Sequence, residues 1–249
     1  MSQTALITGA TSGIGRATAF EFAKHNINLI ICGRREDRLE TIKSALEKST
    51  NVHTLCFDVR DNEAVKKAIA SLPDAFSHID VLINNAGNAH GLDPIETGTI
   101  DDWDAMMDIN VKGLLYVSKA IIPQMTKRQS GHIINIGSSA GKEVYPKGNV
   151  YCASKHAVLA ITEGMRIDLN PYGIKVGAIN PGMVETEFSQ VRFKGNEAAN
   201  NVYTGFKALQ ADDIAEIIQF VVSRPSHVNI ADLLVFCTAQ ASSTIVKKD

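Results

Sequence analysis

The stretch Thr4-Ala5-Leu6-Ile7-Thr8-Gly9-Ala10-Thr11-Ser12-Gly13-Ile14-Gly15 decides how the rest of the chain is read. A short apolar run ends in a glycine-rich turn, and the turn opens onto an amphipathic segment, Ile14–Lys24. Glycines at such a junction let the backbone turn sharply. They bring its N–H groups, together with the helix N-terminus, against a pyrophosphate. A bare glycine pattern is weak evidence, because ordinary turns also use glycine. Its position at the first strand-to-helix junction gives it weight.

Working outward, apolar runs rich in β-branched residues recur at Thr4–Thr8, Asn28–Cys32, Val52–Phe57, Asp80–Ile83, His132–Ile136, Lys175–Ile179 and Leu233–Phe236. Segments with helical spacing separate them. Such runs read as strands covered on both faces, and connections longer than hairpin loops imply right-handed βαβ crossovers and a parallel sheet. The expected architecture is α/β: a doubly wound parallel sheet of the Rossmann type with helices on both faces. No Pro/Ser/Gly-rich linker, repeat or charge block interrupts the pattern, so residues 1–249 read as a single domain. Two segments break the rhythm. Asp101–Arg128 is long for one helix and holds Gly113 and Pro123, the proline being expected to bend or tighten the last turns. Glu185–Gly205 carries little apolar periodicity, and a loop above roughly 15 residues inside a domain is typically a lid over a ligand site or disordered; a lid is expected here.

Composition narrows the function classes. The 249 residues carry 25 Lys and Arg against 27 Asp and Glu, a formal charge of −2, which gives no basic field for nucleic acid or an anionic membrane. With 45 % hydrophobic residues and no apolar run near the roughly 20 residues of a membrane span, the chain reads as an ordinary soluble protein. Met1-Ser2-Gln3-Thr4 is not a charged segment leading into an apolar stretch, so the expected location is cytoplasmic. Cys32, Cys56, Cys152 and Cys237 stand far apart without a Cys-x-x-Cys pair. That spacing speaks against a disulfide framework and a zinc cluster, and reads as small buried apolar side chains.

A dinucleotide fold that binds the free ribose hydroxyls of NAD usually carries an acidic residue roughly 20 positions beyond the glycines. Here that neighbourhood reads Cys32-Gly33-Arg34-Arg35. No carboxylate stands at the strand end to repel a 2′-phosphate, and two guanidinium groups can grip it through charge-assisted bidentate bonds. NADP(H) is therefore expected in preference to NAD. The bland alternative is a solvated pair at a helix start, partnered by Glu36 and Asp37. Asp58 follows the third predicted strand and Asn84-Asn85-Ala86-Gly87 the fourth. Ligands gather at such strand ends, although Asn, Asp and Gly also favour turns there.

The most informative constellation is Ser138, Tyr151 and Lys155. Ser138 lies just beyond the strand His132–Ile136, while Tyr151 and Lys155 are four apart at the start of a predicted helix and so share one face. A phenol with a pKa of about 10 is a poor general base at neutral pH, and lowering it by roughly 3 units needs about 4 kcal/mol of preference for the phenolate. A nearby ammonium and a nicotinamide cation can supply that preference. The phenol then gives its proton to a carbonyl oxygen as hydride arrives, or takes it from an alcohol, while a serine hydroxyl holds that oxygen.

With these residues in view, the sequence resembles the short-chain dehydrogenase/reductase family over essentially its whole length. Thr8-Gly9-x-x-x-Gly13-x-Gly15, Asn84-Asn85-Ala86-Gly87, Asn110, Ser138, Tyr151-x-x-x-Lys155 and Pro181-Gly182-x-Val184-x-Thr186 stand in the family's order and spacing. The resemblance implies that Asn110, Ser138, Tyr151 and Lys155 form a catalytic tetrad. Asn110 would bend the long helix through a water-mediated contact and feed a proton relay through Lys155 to Tyr151. It also implies that Gly9, Thr11, Ser12, Gly13, Ile14 and Gly15 cradle the cofactor, with Asp58 and Val59 at the adenine and Asn84 on the adenosine side beside Ala86 and Gly87. Val184 and Thr186 would face the nicotinamide carboxamide, and Pro181, Gly182, Tyr151 and Lys155 would touch the cofactor too.

Within the family the chain looks like the NADP-dependent 3-hydroxy acid dehydrogenases, which include serine and allo-threonine dehydrogenases; sulfoacetaldehyde reductases look much the same. The segments carrying this likeness are Gly131–Ser138, Gly148–Tyr151, Glu187–Gly195 and His227–Ile230. A small anionic substrate needs a cation near its carbonyl, and Arg192 and Lys194 lie in the expected lid. Arg192 is the candidate for the carboxylate, with Ser138 and Tyr151 on the carbonyl oxygen. The competing arrangement puts both lid cations on the outer surface or on a cofactor phosphate. Lys142 could supply the cation instead, whereas Glu143 would disfavour an acid if it faced the site. Other readings are a 3-oxoacyl-thioester reductase, a broad carbonyl reductase and a catalytically silent NADP(H) sensor. The resemblance further implies a homotetramer packed through the Asp101–Arg128 and Tyr151-bearing helices, where Ala153, Ala157, Ala160 and Gly164 suit close approach.

Overall fold

The strands form where apolar residues can be buried on both sides at once. In β1 (Thr4–Ile7), Ala5 and Ile7 enter one hydrophobic cluster and Leu6 the opposite one; in β2 (Asn28–Gly33), Leu29 and Ile31 face one way and Ile30 and Cys32 the other. The period-2 alternation of side chains thus feeds two cores, and each fully buried Leu or Ile stabilises by roughly 1.5–3 kcal/mol. The structure is a computed structural model describing residues 3–195 and 197–249.

The sheet also contains β3 (Val52–Cys56), β4 (Val81–Asn84), β5 (Gly131–Ile136), β6 (Ile174–Pro181) and, late in the chain, β9 (Asp232–Val235). All seven strands are parallel in the order β3-β2-β1-β4-β5-β6-β9, each within two residues of the expected bounds. On one face lie α1 (Gly13–Lys24), α2 (Glu36–Leu46) and α9 (Ala211–Val222), which bring Phe22, Leu39 and Ile218 to the core. On the other lie α3 (Asn62–Ala70), α5 (Leu114–Arg128) and α6 (Asn149–Leu169), contributing Val65, Val117, Ile121, Met125 and Leu169. The order reverses between β1 and β4, which opens a crevice at their carboxyl ends.

Two expectations change in detail. The long helix runs as α4 (Ile100–Met107), a wide π turn over Asp108–Gly113, and α5. Its irregularity therefore falls at Asn110 rather than at Pro123, which sits on the exposed side of an α5 that continues to Arg128. Between β6 and α9 the expected loop holds structure: β7 (Val184–Glu185), α7 (Phe188–Arg192), α8 (Glu197–Asn201) and β8 (Leu209–Gln210), with β7 paired to β8. Helices of five residues are too short to show periodicity in sequence. Three of the four cysteines are buried as expected, but Cys56 on β3 is exposed. Among the described residues, no helix is long and apolar enough to cross a membrane, and no cluster of His, Cys, Asp or Glu could hold a metal ion.

Candidate active site

The glycine turn lies where the backbone of β4's exit loop comes closest to it. Gly9 has φ +66°, and a Cβ there would stand 2.9 Å from Ala86 Cα and from Asn85 Nδ2. Asn85 locks this approach, its side-chain amide donating to the carbonyls of Thr8 at 2.9 Å and Gly9 at 3.2 Å. Gly15, inside α1, packs against the same amide and does not reach the cavity beyond; a Cβ would meet the Gly9 carbonyl oxygen at 2.6 Å. Its place is structural, unlike that of Gly9, Thr11, Ser12, Gly13 and Ile14, which line a cavity of about 810 Å³.

Most sequence-predicted residues meet in that one cavity: Arg34, Arg35, Asp58, Val59, Ala86, Gly87, Ser138, Tyr151, Lys155, Pro181, Gly182, Val184, Thr186 and Arg192 all line it. Asn84 does not. Its side chain is buried and donates to Ser118 Oγ and Asn135 Oδ1, both at 2.9 Å, because odd and even residues of β4 face opposite ways and this one faces the core. Asn85, one position on, lines the cavity instead.

Asn110 also stays out of the cavity. From the π turn its amide reaches the loop after β4, accepting from Asn88 N and donating to Asn88 O at 2.8 Å each, and donating to Ser154 Oγ at 3.0 Å. Asn110 thus clamps the Gly87–Asn88 backbone directly. This clamp brings Gly87 close to Lys155, whose Nζ would lie 3.5 Å from a Cβ there.

Ser138 leaves β5 in an extended conformation and accepts a bond from Ala140 N at 3.1 Å, with its hydroxyl near enough to the Tyr151 phenol to favour the phenolate. Tyr151 and Lys155 rise from the first two turns of α6, both buried. Burial pushes the Tyr151 phenol above its ordinary value, the nearby Tyr145 adds to this, and the Ser138 hydroxyl opposes it. The protein's own residues thus favour the protonated phenol. Burial lowers Lys155 to about 8, and its ammonium donates to the Ile136 carbonyl at 3.0 Å.

Arg35 fixes itself over the glycine turn. Its Nη2 donates to Thr11 Oγ1 at 2.7 Å and Ser12 Oγ at 3.1 Å, and its Nη1 faces Glu187 at 3.1 Å. Arg34 points toward Asp58, 3.7 Å away, which Arg60 holds more tightly at 2.7 Å. Among the described residues the ion pairs of Arg34 and Arg35 run to Asp58 and Glu187 rather than to Glu36 or Asp37.

The lid cations separate. Arg192 folds inward, its Nε donating to Gly91 O at 3.1 Å and its Nη1 to Tyr145 Oη at 2.9 Å. Its guanidinium carbon lies 5.4 Å from the Tyr151 ring centre and 5.6 Å from that of Tyr145. Nη2 is buried and has no hydrogen-bond partner among the described residues. Lys194 turns outward to Asp102 at 3.0 Å. Lys142 is tied to Asp232, and Glu143 accepts from Ser243 N at 3.1 Å; neither lines the cavity. Sequence reasoning missed Tyr145, Phe188, whose ring tilts against Tyr151 at 5.7 Å, and the tail residues Gln240, Ser243 and Lys248 in the cavity wall. No spacing rule marks them, since each arrives from a loop or a short helix.

Residues 3–197 match the family model described as short chain dehydrogenase. The chain belongs to the short-chain dehydrogenase family. It is 46 % identical over 234 residues to serine 3-dehydrogenase of Rhizobium radiobacter, covering 94 % of this chain and 93 % of that one. It is 44 % identical over 245 residues to sulfoacetaldehyde reductase 2 of Chromohalobacter salexigens, covering 98 % and 97 %. A solved structure of the closed form of serine dehydrogenase complexed with NADP+ superposes with a TM-score of 0.93 at 39 % identity, over 99 % of this chain and all of the other. The chain is thus a short-chain oxidoreductase acting on CH–OH groups.

Proposed function

We propose that this short-chain dehydrogenase uses NADP(H) to interconvert a small 3-hydroxy acid, of the serine or 3-hydroxypropanoate type, and its 3-oxo acid or semialdehyde. One observation carries the substrate class: the inward Arg192 guanidinium, stacked beside Tyr151 with a buried and unpartnered Nη2. Nε and Nη1 are held by Gly91 and Tyr145, so the remaining donor is left for an anion beside the phenol. The nicotinamide dinucleotide fits the chain's features, namely the Gly9 turn too close to Ala86 for a side chain and the Arg34–Arg35 pair without a carboxylate at the end of β2. The glycine turn would hold the pyrophosphate, Arg35 the 2′-phosphate, and Val184 and Thr186 the carboxamide end. Bound NADP(H) supplies or accepts the hydride.

The chain's own residues handle the proton and the oxygen. In reduction the Tyr151 phenol donates its proton to the substrate carbonyl oxygen as the carbonyl carbon gains hydride; in oxidation it removes the hydroxyl proton. Ser138 hydrogen-bonds that oxygen and holds it against the phenol. The Lys155 ammonium favours the phenolate that burial disfavours. Asn110 positions the loop that covers Lys155. Residues 185–205 act as the lid, and the assembly is a cytoplasmic homotetramer. Supporting the tetramer, Ala153, Ala160, Ile167 and Leu115 are exposed on α6 and α5, and a Cβ on Gly164 would meet nothing within 4 Å.

The test is NADP reduction at alkaline pH with L-serine, 3-hydroxypropanoate, 3-hydroxybutanoate and a neutral alcohol of similar size, and NADPH oxidation with sulfoacetaldehyde. NAD and Tyr151→Phe serve as controls. Activity on the acids that requires NADP and Tyr151 is expected. Activity on the neutral alcohol alone would discard the anion role of Arg192 and leave a broad carbonyl reductase. Sulfoacetaldehyde as the sole good substrate would keep Arg192 and replace the carboxylate by a sulfonate.

A further inference from the structure

Beside the glycine turn, an acidic residue of the lid sits between two arginines. Glu187 Oε1 lies 2.7 Å from Arg38 Nη1, and Glu187 Oε2 lies 3.0 Å from Arg38 Nη1 and 3.1 Å from Arg35 Nη1. Arg38 follows Arg35 by one turn of α2, so their side chains are neighbours. Because Thr11 and Ser12 occupy the other edge of Arg35, its free edge and Arg38 form a fork open to one anion. The anion now in that fork is supplied by the chain itself, from a segment about 150 residues away.

We infer that Arg38 and Glu187 are specificity-determining residues for a ribose 2′-phosphate: Arg38 is a second cation of the subsite, and Glu187 is an internal competitor that the phosphate must displace. The inference rests on the NADP reading given above. A carboxylate and a phosphate engage a guanidinium fork through the same bidentate bonds, so both cannot hold Arg38 and Arg35 in the same way at once. Displacement is feasible because the three side chains are 38 %, 42 % and 49 % exposed, and ion pairs of that kind are weak. A dianionic phosphate outcompetes one carboxylate there. A ribose 2′-hydroxyl, as in NAD, carries no charge for the guanidinium groups and leaves Glu187 in place. Removing the carboxylate therefore acts on one cofactor and not on the other.

The experiment is equilibrium binding by isothermal titration calorimetry, without substrate, of NADP, NAD, 2′,5′-ADP and 5′-AMP to the wild-type protein, Glu187→Gln and Arg38→Met. Melting curves confirm that each variant is folded. Glu187→Gln is expected to bind NADP and 2′,5′-ADP about 3- to 5-fold more tightly, with NAD and 5′-AMP unchanged. Arg38→Met is expected to weaken only the 2′-phosphorylated ligands, by about 10-fold. Equal weakening of both cofactors by Glu187→Gln would make the contact a lid latch and overturn the inference, as would an unchanged NADP-to-NAD ratio in both variants. If the wild-type protein binds NADP no more tightly than NAD, the cofactor reading fails and takes the inference with it. A wild-type preference for NADP that Glu187→Gln leaves untouched sinks the inference alone.

Discussion

Arg192→Leu removes the one lid cation that faces Tyr151, and its effect can be worked from the contacts. Two of the three guanidinium nitrogens are spent on Gly91 O and Tyr145 Oη, and these bonds act on every substrate through the shape of the site. The third, Nη2, acts only on a substrate that brings an anion. A hydrogen bond to a charged group is worth about 1.5–3 kcal/mol, or about 10- to 150-fold in kcat/KM. Losing the positioning bonds lowers kcat/KM for all substrates, so the informative quantity is the ratio between a 3-hydroxy acid and a neutral alcohol of the same size. That ratio is expected to fall by about 10- to 150-fold in Arg192→Leu and by less in Arg192→Lys, which keeps the charge but not the planar fork. Steady-state kinetics on purified proteins measures it. An equal loss on the acid and the alcohol would refute the reasoning, since Arg192 would then only shape the site.

Lys155→Met is expected to raise stability at pH 7 by about 1–3 kcal/mol, because burial holds the wild-type ammonium to about 8 against an ordinary 10.5. Between those values the unfolded chain binds the extra proton, so wild-type stability rises with pH and the variant's advantage should fade from pH 8 toward 10.5, as urea titrations at pH 7 and pH 10 would show. Gly15→Ala forces a methyl to within 2.6 Å of a backbone oxygen and should cost about 1–3 kcal/mol of stability, read as a lowered urea midpoint. Asn110→Ala leaves the Asn88 N–H and carbonyl without their side-chain partner in a buried loop. It should lose about 2–4 kcal/mol and most of kcat, and a variant with unchanged kcat would deny the clamp its role.

Legibility followed the range of the interaction. The strands were readable because each carries its own pattern: runs such as Leu29-Ile30-Ile31 must be buried on both sides whatever surrounds them. The glycine turn and the Ser138, Tyr151 and Lys155 set were readable for the same reason, being fixed by local geometry, and they do line one cavity. Errors arose where a single residue's facing mattered. Asn84 and Asn85 are indistinguishable in composition, yet the pleat turns one to Ser118 and the other to the glycine turn. Contacts made across the fold left no trace: Tyr145 with Arg192, and Glu187 with Arg38, are separated by 47 and 149 positions and meet only after the sheet is assembled.

The wide turn at Asp108–Gly113 has a bearing on any effort to stabilise this enzyme. A helix with one extra residue in a turn is poorer at bonding its own backbone than a regular one, and such turns persist mainly where they place a side chain that regular geometry would misdirect. Deleting one residue there would straighten α4 into α5 and rotate Asn110 about 100° away from the Asn88 backbone. Regularising the helix would therefore cost the protein both the stability of that clamp and its grip on the loop over Lys155, so an effort at stabilisation should leave Asp108–Gly113 as it is.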